Sequence, residues 1–136
     1  MRRANKGETM RGIAKAFFLT AVVYGVLGML LGLDMAMRHD HAELPTHAHI
    51  MVIGWLSFAV FAYFYHLLGE AVPRWLALTH SWLAQVSLAV MVVGLWLYYG
   101  GSTQFEPLAA IGALGYAVSF LVFAAAVFRA MREQTT

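Results

Sequence analysis

LPTHAHIMVIGWLSFAVFAYFYHL, Leu44–Leu67, runs for 24 residues without one Asp, Glu, Lys or Arg. At ~1.5 Å per residue a helix of this length reaches about 36 Å, more than the ~30 Å hydrocarbon layer of a bilayer. Pro45 stands at its start, where a missing N–H costs nothing, so the segment reads as a spanning helix rather than a strand. Just inside that start lie His47 and His49. Histidines at such a depth are expensive in lipid unless they coordinate, pair or reach water, so the pair marks a candidate site.

The rest of the chain follows the same pattern. Of its 136 residues 61% are hydrophobic and 12% charged, and its mean hydropathy is +0.68. These values predict an all-α integral membrane protein forming one four-helix bundle, a single domain over residues 1–136. The expected spans are Ile13–Leu33, Thr46–Leu68, Trp75–Tyr99 and Pro107–Phe128. Pro107 is a second helix-start signal. Pro73, in the short Gly69–Arg74 connection, allows spans two and three only to be antiparallel neighbours. Trp75, Trp96, Tyr98 and Tyr99 sit near span ends, as interfacial anchors do.

Charge sets the expected orientation. Arg2, Arg3, Lys6, Arg11, Lys15, Arg74, Arg129 and Arg132 fall on one side of a four-span chain and Arg38 alone on the other. Both termini are therefore expected in the cytoplasm, with the protein multi-pass in a bacterial inner membrane. Basic flanks against anionic headgroups account for a pI near 9.2 without nucleic acid as a partner. The first apolar run is longer than the core of an export signal and no small-x-small cleavage site follows it, so it reads as a span. There is no Cys, which excludes thiolate metal sites and haem attached through C-x-x-C-H.

Within the first span Gly25, Gly28 and Gly32 make a small-residue seam, and Ala109, Gly112, Ala113 and Gly115 make another in the fourth. Both read as close helix packing. Between spans one and two, Asp34–Leu44 holds Met35, Met37, His39, Asp40, His41 and Glu43, donors suited to copper or zinc if the loop folds around an ion, and a solvated loop otherwise.

Two positions along a helix are a rotation of about 200°, so His47 and His49 leave on nearly opposite faces. That favours two separate ligands over one chelate, and a flat ring with axial nitrogens is the cofactor that takes one imidazole from each of two helices. Gly54, seven residues past His47, returns to nearly its face and leaves room there for a macrocycle. At the other end of the bundle His66 and His80 form a second group. They read either as a paired site or as an interfacial histidine and an interhelical hydrogen bond.

The quoted segment resembles the haem-binding helices of subunit I of the haem-copper oxidases and bacterial nitric oxide reductases. In that family one helix carries H-x-H with each histidine serving a different haem, and His47 and His49 match the pattern. Subunit I has twelve spans in three arcs of four, so a four-span chain corresponds to one arc and a homotrimer would restore the ring. The resemblance implies a haem b protein with axial His47 and His49, acting in electron transfer or in binding nitric oxide or oxygen, and an electron donor or respiratory partner. The further histidines of the family's catalytic metal centre have no counterpart here, so an enzymatic activity, if any, would be that of an oxidoreductase with an incomplete site. Two other classes stand beside it. One is a copper- or zinc-handling protein using Met35, Met37, His39, His41, His47 and His49; the other is a structural subunit in which the histidines only join helices.

Overall fold

The computed structural model of the chain describes Met10 and residues 12–133. Arg2, Arg3, Lys6 and Arg11, which carry half of the one-sided basic charge, lie outside them. Among the described residues there are five α-helices: α1 (Gly12–Arg38), α2 (Leu44–His49), α3 (Ser57–Leu68), α4 (Arg74–Tyr99) and α5 (Glu106–Glu133). A π-helical segment, Ile50–Leu56, joins α2 directly to α3. This gives four helices long and apolar enough to cross a membrane. Side chains such as Leu30, Leu33, Leu114, Leu121 and Phe128 are more than half exposed, an apolar exterior that suits lipid.

The first helix runs further than its apolar core. Asp34 and Arg38, one turn apart, form an ion pair on its last turn, and a cation there also suits the negative end of the helix dipole. Met35 and Met37 are therefore helical, not loop residues. His39 ends the helix in the left-handed conformation (φ 53°). Its amide reaches Ala36 O at 3.4 Å while the Asp40 amide reaches Met35 O at 3.2 Å, a Schellman cap.

Two seams of small residues set the packing. In α4 and α5 the glycines bring backbone onto backbone: a methyl group on Gly94 would strike the backbone of Ala109, and one on Gly112 the backbone of Met91. In α1 the groove is filled by side chains. Trp55 lies over Gly25, Met51 over Gly28 and His47 over Gly32, three pegs at intervals of four on one helix set into glycines of its antiparallel neighbour. The buried positions Thr46, Ile50, Gly54 and Phe58 keep the same interval. An ideal α-helix drifts about 40° with each step of four. The wide turn of the π segment, where the Ser57 amide bonds Val52 O five residues back, reduces that drift and holds both rows on line.

Towards the end that carries Gly12 and Glu133 the core is aromatic. Phe17, Phe58 and Phe61 are fully buried, and Phe17 meets the rings of Phe58, Phe61 and Tyr65 at centroid distances of 5.1, 5.4 and 5.9 Å. The edge-to-face arrangement of the first two pairs is the one ring quadrupoles prefer.

Candidate functional site

His47 and His49 occupy the last turn of α2 before the wide segment, and they diverge. His47 crosses to α1, where its Nδ1 lies 2.9 Å from the Gly28 carbonyl oxygen and its ring rests on Gly32. His49 turns back along its own helix, with Nδ1 2.7 Å from the Pro45 carbonyl oxygen. A carbonyl only accepts, so in each ring Nδ1 carries the hydrogen and donates it. In the neutral imidazole the lone pair is then on Nε2. Metal-binding histidines are held this way, with the outer N–H given to a carbonyl that fixes tautomer and orientation. Neither Nε2 is among the buried, unpartnered polar atoms.

On the His49 side there is a cavity of about 300 Å³ between α2, α4 and α5, lined by His49, Met91, Leu95, Tyr98, Tyr99, Glu106, Ala109, Ala110 and Ala113. Its alanines leave a smooth apolar wall with polar groups at the rim. A volume of this size is at the lower limit of small-molecule sites, so one chain encloses only part of a ligand as large as a tetrapyrrole.

Gly54 does not provide free space. A methyl group there would meet Tyr24 Cγ at 2.7 Å, because the Tyr24 ring of α1 fills the gap that its missing side chain leaves. Of the donors grouped in the outer loop, Met35 is buried and Met37 is 74% exposed. His39 is the helix cap, and the Asp40 carboxylate accepts the Ala42 amide at 3.0 Å. The structure does not draw His39 and His41 together with His47 and His49 into one metal centre. Among the described residues no three His, Cys, Asp or Glu side chains gather.

The second histidine group resolves differently. His80 is completely buried and shares a 2.9 Å hydrogen bond with the Tyr65 hydroxyl. Its ring is enclosed by Phe61, Phe17, Phe123 and Tyr65 at 4.7, 5.1, 5.1 and 5.7 Å, and its Nε2 is sealed without a partner. His66, the next residue after Tyr65, leaves the helix about 100° further round and is only partly buried. The partner of His80 is thus a tyrosine and not His66. Depth alone does not separate Tyr65 from His66 in the sequence; the faces of the two helices do. Gln85, on the same helix as His80, donates to Thr20 Oγ1 at 3.0 Å, a second polar tie between distant segments. Replacing Tyr65 by Phe is expected to leave both nitrogens of His80 unpaired and to lower stability by roughly 1–2 kcal/mol, measurable by denaturant titration in mixed micelles.

The chain is similar to cytochrome c oxidase polypeptide 1 of Halobacterium salinarum, with 35% identity over 89 residues, 62% of this chain. The match takes in 15% of the length of that relative. No protein-family model matches, and no solved structure does. The finding is a partial resemblance to an oxidase polypeptide 1, in keeping with a multi-pass membrane protein.

Proposed function

We propose that this chain is a small b-type cytochrome of the cytoplasmic membrane, a single domain that binds haem through axial His47 and His49 and serves in electron transfer or the binding of a diatomic gas. The observation that carries this reading is the pair of Nδ1–H to carbonyl hydrogen bonds, at 2.9 and 2.7 Å, which leave both Nε2 atoms as ligands pointing away from a fixed backbone anchor. The similarity to oxidase polypeptide 1 supports the same cofactor. A bound haem would supply one-electron redox chemistry, and two axial histidines favour electron transfer over gas binding. The chain's own contribution is to hold each ring in one tautomer and to keep an apolar wall beside His49.

We further propose that the termini face the cytoplasm and that three copies assemble, with His47 of one opposite His49 of the next. Two observations support the assembly: the divergence of the two rings, and a cavity beside His49 too small for a tetrapyrrole. A reduced-minus-oxidised spectrum of protein from haem-supplied cells is expected to show the bands of low-spin haem b, unshifted by carbon monoxide. Colourless protein would overturn the proposal. A monomeric mass in detergent with haem retained would remove the trimer and leave the ligands.

A further inference from the structure

Ser57, the first residue of α3, bonds a carbonyl that a regular helix would not offer it. In an α-helix a serine or threonine hydroxyl returns to the carbonyl three or four residues back. Thr20 does so to Ala16 O and Phe17 O, at 2.9 and 3.1 Å, and Ser119 to Tyr116 O at 2.7 Å. The Ser57 hydroxyl instead donates to Val52 O, five residues back, at 2.9 Å. That carbonyl also accepts the Ser57 amide, so one residue occupies both of its lone pairs.

A π segment is rare and mostly a single inserted turn, so Ile50–Leu56, seven residues long, needs a local reason to persist. The second bond on Val52 O is one. Val52 is more than half exposed, on a surface where lipid offers no water to compete for either bond. The Tyr24 ring of α1, set against Gly54 in the middle of the segment, is another. The turn matters because it stands between the histidine pair and the rest of its span. A turn closed five residues back holds one residue more than a turn closed four back, and one residue of α-helix is about 100° of rotation and 1.5 Å of rise. Phe58 and Phe61 anchor α3 in the aromatic core, so relaxation of the wide turn to α geometry would rotate α2. A rotation of that size carries the His47 ring away from Gly28 O and from its seat on Gly32.

We propose that Ser57 is a positioning residue for His47: its hydroxyl holds the wide turn, and the wide turn aims the imidazole at its backbone anchor. Ser57 touches neither ring and acts through the seven residues between them. Its consequence for a cofactor rests on the haem reading given above; the placement of the ring and its tautomer does not. Ser57 thereby sets which nitrogen of His47 carries the hydrogen, because an imidazole turned away from Gly28 O has no carbonyl to hold the proton on Nδ1.

The test is histidine ¹⁵N NMR of the full chain in detergent, produced without haem supply, with His47→Gln identifying the His47 signals. The wild type should show His47 as one tautomer, protonated at Nδ1. Ser57→Ala should lose that pattern to an exchange average, and Ser57→Thr, which keeps the hydroxyl, should restore it. His80, held by the Tyr65 hydroxyl, should look the same in all three chains, a result that general loosening of the bundle would not give. An unchanged His47 in Ser57→Ala would overturn the proposal. So would His47 and His80 altered together, or a Ser57→Thr chain that behaves as Ser57→Ala does. In haem-supplied cells Ser57→Ala should lower haem occupancy by about tenfold, the lower end for groups that orient a ligand; occupancy equal to that of a coloured wild type would also overturn it. A colourless wild type would end the haem reading and leave the NMR comparison to decide on Ser57. Should Ser57→Ala fail to fold, infrared spectra of the wild-type chain carrying ¹³C=¹⁸O at Val52 decide: an amide I band below that of the same label at Val60 supports the doubly bonded carbonyl, and coincident bands refute it.

Discussion

His49→Ala is expected to reduce bound haem by about tenfold or more, since changes one shell further out already cost 10- to 100-fold at metal centres. His47→Ala should have the same effect. In the proposed assembly every haem takes one ligand of each kind, so either variant strikes every site, and the double variant should be little worse than the singles. Whatever haem remains should be five-coordinate and should now respond to carbon monoxide, unlike the wild type. His66→Ala and His80→Ala should keep the spectrum, the latter at a cost in stability because it empties the aromatic enclosure of Phe17, Phe61, Tyr65 and Phe123. An unchanged spectrum in both His47→Ala and His49→Ala would transfer the ligands elsewhere.

The largest stability effect is expected at the contact of α4 with α5. In Gly112→Ala the new methyl group meets the backbone nitrogen and Cα of Met91, atoms that no rotamer change can move aside. The helices must separate, at an expected cost of about 3 kcal/mol, the upper end for overpacking. Gly94→Ala lies on the same seam against Ala109 and should cost a similar amount. The double variant should cost less than the sum, because helices parted by the first methyl have already made room for the second. Leu114→Ala, on the exposed side of α5, serves as the control and should stay within about 0.5 kcal/mol. Unfolding in mixed micelles measures all four.

The helical framework was legible because apolar length is a signal that needs no partner: any run of about twenty residues without charge predicts a crossing. The divergence of His47 and His49 was legible for a similar reason, since it follows from rotation along one helix. What depended on a second helix was not. Gly54 reads as open space in isolation, but Tyr24 of another helix fills it. His80 offers no hint of whether Tyr65 or His66 will face it. The α1 glycines read as helix packing; that one of them would seat the His47 ring could not be read from α1 alone. Glu43 read as one of the donors of the outer loop and Thr46 as the first residue of the second span; that the Glu43 carboxylate lies near Gly100 at the end of α4 could not be read from that segment alone. The π segment also escaped the sequence reading, because one extra residue in a turn leaves the apolar pattern intact while changing which residues line up.

The glycine groove of α1 continues into Ala21 and Ala36, one turn beyond each end. Three pegs at intervals of four would therefore ride in it almost as well after a slip of one turn, about 5.4 Å along the helix. Small residues alone make a rail without a stop. The His47 hydrogen bond to Gly28 O adds a directional polar contact to that rail. The same imidazole thus ties α2 to α1 and keeps its other nitrogen unprotonated, so the residue proposed to hold a ligand is also one that fastens two helices together.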